Sequence, residues 1–181
     1  GFGDTARLLR RLKQSEQPIR WVMTQMWDRY TNRPLWCSQQ AVKNVREEAD
    51  IVLAGVSRTS KTPTSIYLAN RGYKVANIPI VVESPPPAAL FGLRHPLVVG
   101  LTTAPDRLIQ VRRNRLLSLN QAPETAYVAE DRVAKEVQYA RRMFADNGWP
   151  VIDVTRRSIE ETAAAIINLY NEFRSPPQED A

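Results

Sequence analysis

Cysteine is almost missing from this chain: Cys37 stands alone among 181 residues. A disulfide within the chain is excluded, and the usage fits a reducing, cytoplasmic compartment. Histidine is as scarce, with His95 the single example. No Cys/His cluster with zinc-ligand spacing can be drawn, and no Ser-His-Asp order points to a hydrolytic triad. No apolar run approaches the ~18 residues that a bilayer span requires. Residues 1–13 (GFGDTARLLRRLK) lack the apolar stretch of a signal peptide. A basic patch interleaved with aromatics, the mark of a single-strand binder, is also absent, and there is no internal repeat. The sequence opens on Gly rather than Met, so it reads as a trimmed chain or a piece of a longer one.

What remains is an ordinary globular composition, 43% hydrophobic and 24% charged, with one domain's worth of length. The net charge of +6, from 25 Lys+Arg against 19 Asp+Glu, attracts polyanions. Nucleic acid, free phosphate and nucleotides all satisfy that demand.

Residues 1–46 form an N-terminal segment that is partly helical. Met23, Met26, Trp27 and Tyr30 fall at helical spacing, which predicts an amphipathic, core-packing helix over 19–31. From 47 to 175 the pattern becomes regular. "DIVLAGV" (50–56) reads as a strand buried on both faces, and "YKVANIPIVV" (73–82), "LVVGL" (97–101) and "PVIDV" (150–154) as further strands. Helices separate them. One follows residue 62, with Pro63 in its first turn and Gly72 beyond its end. A second opens at Ala104-Pro105-Asp106 and runs to about Leu119. A third, 131–147, carries Val133, Val137, Ala140 and Phe144 on one stripe. A fourth starts at the Ser158/Glu161 capping box and presents Ile159, Ala163, Ile166, Tyr170 and Phe173. Such alternation predicts a three-layer α/β domain with a mainly parallel sheet and right-handed crossovers. Residues 84–96 are a proline-rich excursion, and 176–181 a tail expected to be disordered.

The stretch "AGVSRTSKTP" (54–63) carries the chemistry. A phosphate loop needs a strand end, a backbone that wraps an anion, a lysine, a Ser/Thr for magnesium, and a helix N-terminus. Gly55 starts such a loop; Val56, Ser57, Arg58 and Thr59 follow, then Ser60, Lys61 and Thr62. Here the backbone N–H groups of Ser57 to Thr62 would cradle a diphosphate, Lys61 would neutralise it, and Thr62 would hold magnesium. Ser60 occupies the place of the usual glycine, whose backbone angles cost other residues on the order of 1 kcal/mol. The alternative reading is a polar strand-to-helix turn with an incidental lysine.

Arginines supply a second clue. In the helix 106–119, Leu108, Ile109, Val111, Leu116 and Leu119 share an arc, with Arg112 and Arg115 near its middle and Arg107 and Arg113 on its flanks. A buried guanidinium is costly unless paired. Three readings stand: acidic partners wait inside, the face borders an anion site, or the stems snorkel. Asp153 ends a strand and either holds a magnesium-bound water or caps the next turn. Thr155-Arg156-Arg157 lies where a nucleotide base can be contacted, and His95 is incidental.

The stretch "ADIVLAGVSRTSKTPTSIYLANRGYKVANIPIV" resembles the regulatory proteins of pyruvate, phosphate dikinase and of phosphoenolpyruvate synthase. The likeness continues through "PLVVGLTTAPDRLIQVRRNRLLSL" and "GWPVIDVTRRSIEETAAAI", and covers roughly residues 48–173. The serine at position 60 is normal in that family. The resemblance implies a bifunctional enzyme that phosphorylates a threonine of its target with ADP as donor and switches the target off. It also removes that phosphate by phosphorolysis, with inorganic phosphate attacking and pyrophosphate leaving. Gly55 to Thr62 would bind ADP, with Lys61 as the catalytic cation and magnesium on Thr62. Arg112 and Arg115 match the family's "IR..R" element as "VRRNR", and are assigned to phosphate binding and catalysis. The partner would be the dikinase or the synthase, the chain a dimer or larger assembly, and neither membrane nor nucleic acid a partner. Family members also carry an acidic "HDDG"-like segment before the first strand, the natural source of a catalytic base; residues 1–46 show no such segment. A small-molecule kinase of the nucleotide-kinase type, or a basic nucleic-acid module, are the other readings of the same loop and charge.

Overall fold

The computed structural model describes residues 22–23, 27–28, 33–34, 49–83, 85–86, 90–120 and 126–175. Short extended pieces come first: β1 (Val22–Met23), β2 (Trp27–Asp28) and β3 (Arg33–Pro34). The regular part follows as β4 (Ile51–Gly55), α1 (Lys61–Asn70), β5 (Val75–Pro79), β6 (Leu97–Thr102), α2 (Pro105–Ser118), a 3-10 turn (Ala126–Val128), α3 (Glu130–Asp146), β7 (Val151–Asp153) and α4 (Ile159–Arg174).

The main sheet has the order β1-β5-β4-β6-β7, and every neighbouring pair in it is parallel. β4 and β6 are buried on both faces, which explains their continuous apolar runs. Along β4 the side chains alternate: Val52 and Ala54 join the cluster that includes Val133, Val137 and Phe144, while Ile51 and Leu53 join the one that includes Leu68, Ala163 and Ile166. Thus α2 and α3 cover one face, α1 and α4 the other, and the three-layer α/β expectation is met. From β4 the chain steps one way to β5 through α1, and from β6 the other way to β7 through α2 and α3. Crossovers of one hand require opposite faces for opposite directions. The strand order therefore reverses at β4/β6, where the carboxyl ends of an open sheet leave a crevice.

The helix ends follow the local signals. Gly72 takes φ +92° just beyond α1, a left-handed angle that closes its last turn. Pro105 stands in the first turn of α2. Before α4, Glu161 N–H donates to Ser158 Oγ at 3.1 Å and Ser158 N–H donates to Glu161 Oε2 at 2.8 Å, the reciprocal capping box. On the face of α4, Ala163 and Ile166 are buried while Phe173 is exposed.

One expectation needs correction. The described part of 19–31 is not helical: Val22–Met23 lies parallel to Val75–Ala76 at the sheet edge, and Trp27–Asp28 pairs antiparallel with Arg33–Pro34. An edge strand offers a row of unpaired backbone groups, and extended pairing there outweighs a modest helical periodicity. The rest of 1–46 and the tail 176–181 lie outside the described residues. Among the described residues, no helix is long and apolar enough to cross a membrane.

Candidate functional site

The turn after β4 leaves the sheet at its carboxyl edge and runs directly into α1. Gly55 has no space for a side chain: a Cβ there would sit 2.6 Å from the Leu101 carbonyl oxygen and 2.7 Å from Thr59 Oγ1. Val56 and Thr59 are buried, with Thr59 Oγ1 donating to Val56 O at 3.0 Å, while Ser57, Arg58 and Ser60 are exposed. The turn is thus pinned from inside. Among the described residues, nothing accepts from the backbone N–H groups of Ser57 through Thr62. Six successive unspent amides at a helix N-terminus form a concave field of positive dipole ends.

Ser60 adopts φ 57° and ψ 16°, and its side chain makes no capping hydrogen bond. The loop therefore keeps the left-handed angle that glycine would supply, rather than the different path that a serine could have enforced. Ser60→Gly is expected to stabilise the unliganded protein by up to about 1 kcal/mol, with a melting temperature higher by a few degrees. A lower melting temperature would show that the hydroxyl itself secures the turn.

Lys61 Nζ turns back into the loop, donating to Gly55 O at 2.8 Å and Val56 O at 2.7 Å, with Thr59 Oγ1 at 3.4 Å. Burial, and then the charges of Arg112 and Arg58, lower its pKa to about 7. Among the described residues, no carboxylate pairs with it. Beside it opens a cavity of about 500 Å³, lined by Ser57, Arg58, Ser60, Lys61, Thr62 and Pro63 from the loop and α1. The opposite wall comes from Asn77, Pro79, Val81 and Val111. The loop is not closed over by its neighbours.

Of the residues expected to act together, Gly55 to Thr62 are brought to this cavity or its supporting turn. Arg112 and Arg115 are not among its lining residues. Arg115 is exposed. Arg112 is fully buried, with Nη2 donating to Glu136 Oε2 at 2.6 Å and Nη1 to Tyr127 O at 3.0 Å. Its guanidinium also lies 4.4 Å from the Tyr127 ring centroid. Arg112 thus has the acidic partner that one reading of the helix expected. The guanidinium still reaches the site: its charge acts on Lys61, and Tyr127 Oη lies 3.0 Å from Ser57 Oγ. Glu136 and Tyr127 were not foreseen, because they come from α3 and the 3-10 turn, well apart in sequence.

The outlying candidates fall elsewhere. Asp153 accepts from the Thr155 N–H at 2.8 Å and from the Thr155 hydroxyl, as a turn cap does. Desolvation opposes its ionisation, but those hydrogen bonds and the Arg141 and Arg157 charges hold the carboxyl below its ordinary range. Thr155 Oγ1 accepts from Ala104 N–H at 2.8 Å, so it tethers the start of α2. Arg156 and Arg157 are exposed. His95 precedes β6 and lies at the amino edge, across the sheet from the loop. Among the described residues, no group of three His, Cys, Asp or Glu side chains could hold a metal.

A kinase/pyrophosphorylase family profile matches residues 40–167. The chain belongs to that family. The match begins ahead of residue 48, where the resemblance was first legible. A pyruvate, phosphate dikinase regulatory protein of Novosphingobium aromaticivorans is 86% identical over 126 residues, 70% of this chain and 45% of that protein. Like-named proteins of Sphingopyxis alaskensis and Rhizorhabdus wittichii are 79% and 77% identical, over 71% and 74% of this chain and 48% of each relative. The chain thus spans just under half the length of the curated relatives it matches. Within the kinase/pyrophosphorylase domain, the loop at 55–62 stands inside the matched region.

Proposed function

We propose that this chain carries the nucleotide site of a bifunctional regulator of pyruvate, phosphate dikinase or phosphoenolpyruvate synthase. The observation that carries the reading is the loop itself: Ser57, Arg58, Ser60, Lys61 and Thr62 line an open cavity of about 500 Å³, and among the described residues nothing accepts from their backbone N–H groups. The family and the names of its relatives supply the target.

In the forward direction, the hydroxyl oxygen of a target threonine forms a bond to the terminal phosphorus of ADP. The bond from that phosphorus to the bridging oxygen breaks, AMP leaves, and the hydroxyl proton passes to a base. In the reverse direction, an oxygen of inorganic phosphate forms a bond to the phosphothreonine phosphorus, the bond from that phosphorus to the threonine oxygen breaks, the threonine oxygen takes up a proton, and pyrophosphate is released. Such transfers are catalysed by positioning and charge compensation rather than by covalent intermediates. The loop amides would hold the diphosphate, and Lys61 would leave its carbonyl partners to meet the terminal oxygens. The Arg112–Glu136 pair would keep α2 and α3 in place behind it.

Magnesium fits the site modestly. Thr62 lines the cavity and no carboxylate does, so the ion would be held by the Thr62 hydroxyl, nucleotide oxygens and water, a usual arrangement for this metal. It would neutralise diphosphate charge.

The test is incubation of the chain with ADP carrying label on its terminal phosphate, together with each candidate target enzyme. Label is expected on a threonine of one target, released as pyrophosphate when inorganic phosphate is added. Transfer from ATP to a free metabolite, with no labelled protein, would replace this reading by that of a small-molecule kinase.

A further inference from the structure

The wall of the loop cavity contains a buried donor with nothing to donate to. β5 reads Val-Ala-Asn-Ile-Pro, and Asn77 is its one polar side chain. It pairs in register with Leu53, two residues deeper along the sheet than the Gly55–Pro79 pair at the loop. The residue lines the cavity yet is only 7% exposed. Its Oδ1 accepts from the Ser65 hydroxyl on α1. Ser65 Oγ also donates to Lys61 O at 2.8 Å, the bond a helical serine commonly makes to the carbonyl four residues back. Oδ1 is the amide atom turned toward the serine, which leaves Nδ2 as the other end of the group. Nδ2, with two hydrogens, has no partner among the described residues.

An amide nitrogen buried without an acceptor is costly, and an apolar residue would serve the strand better. A donor kept in such a place is explained by an acceptor that arrives with a ligand. The charged groups lining the same cavity are Arg58 and Lys61, with no carboxylate. An anion is therefore attracted, and a cation would enter only in company with one.

Resting on the nucleotide-site reading above, we propose that the Asn77 amide is a ligand for a phosphoryl oxygen, supplied by the nucleotide diphosphate or by inorganic phosphate or pyrophosphate. It adds a neutral donor opposite the amide cradle, so the anion is gripped from the strand side as well as the loop side.

Calorimetric titration of ADP, pyrophosphate and phosphate into the wild type and into Asn77→Ser, Asn77→Ala and Asn77→Asp tests this. Loss of a hydrogen bond to a charged group predicts a dissociation constant raised about 10-fold or more for Asn77→Ala. Asn77→Ser, which keeps a donor, should fall between wild type and Ala. Asn77→Asp should be the weakest at pH 8, although it is closest to asparagine in shape. Relative to wild type, it should recover as the pH is lowered toward 5 and its carboxyl gains a proton to donate. A purely structural asparagine would give a different order, with Asp no worse than Ala and no pH-dependent recovery, and that result would overturn the proposal. Should the Asp variant not fold, equal affinities for Ser and Ala would overturn it as well. A penalty confined to ADP assigns the contact to the nucleotide, whereas one shared by all three assigns it to any phosphoanion. If the wild type bound none of the three, the nucleotide-site reading would itself fail, and this inference with it.

Discussion

Lys61→Ala is expected to raise the dissociation constant for ADP by at least about 100-fold, the cost of removing the charge-assisted contact at the base of the loop and leaving its carbonyl partners bare. The reason is local. Gly55 O and Val56 O point at Nζ from 2.8 and 2.7 Å. Without the ammonium, two carbonyl oxygens would face the incoming diphosphate, and attraction would become repulsion. Undiminished affinity would remove the loop from the site.

The same lysine predicts a proton signature. With a pKa of about 7 in the free protein, it is mostly neutral at pH 8. A diphosphate beside it favours the charged form, so binding at pH 8 should take up a proton. That uptake is read from the dependence of calorimetric heat on the buffer's ionisation enthalpy. At pH 6 the lysine is already charged and contributes no uptake.

Stability follows with a definite sign. The folded pKa lies below the unfolded one, so the unfolded chain binds this proton more tightly. Burial of the charged lysine costs stability below pH 7, and the cost fades as pH rises from about 7 toward 10.5. Lys61→Met should abolish that rise in melting temperature. A wild-type curve with the same slope as the variant would contradict the burial of the charge.

Glu136→Ala is expected to be the most destabilising single change on the α2–α3 side, at about 3–5 kcal/mol. Its Oε2 meets Arg112 Nη2 at 2.6 Å, where the arginine side chain is 1% exposed and the glutamate 17%. Truncating the glutamate strands a guanidinium that cannot shed its charge. Arg112→Met is a milder change, because Glu136 keeps some water and has Arg132 Nε at 3.7 Å. Chemical denaturation should therefore rank Glu136→Ala well below Arg112→Met, with a loss of roughly 10 °C in melting temperature for the former. Equal and small effects would mean that the pair is solvated. Arg112→Met should also raise the Lys61 pKa, since it deletes a positive neighbour, and so reduce proton uptake at pH 8.

The layered architecture was legible because its causes are contiguous in sequence. The runs at 51–55 and 97–101 are apolar at every position, as burial on both faces requires. Val133, Val137, Ala140 and Phe144 recur at the helical period, and Ser158 and Glu161 announce a helix start within four residues. The loop was legible for the same reason: strand, turn, lysine and helix follow each other without a gap. Where pairing involved distant segments, reading failed or stopped short. The spacing of Met23, Met26, Trp27 and Tyr30 suggested a helix, yet Val22–Met23 is a strand, because the free edge of β5 offers partners that no local pattern reveals. Nothing local marked Asn77, a single polar residue in an apolar strand, as a ligand. Its unspent donor appears once α1 brings Ser65 against it and the β4–β5 register sets it beside the loop.

By itself, the sequence determined the parallel α/β frame, the position of the loop at 55–62 and the family, since each rests on neighbours along the chain. Only the tertiary structure decided that Arg112 is buried against Glu136. It also decided that Lys61 waits on two carbonyls and that Asn77 faces the cavity without a partner. Burial and the cost of an unpaired charge or donor depend on what the fold packs around a group, and that environment comes from residues far away along the chain.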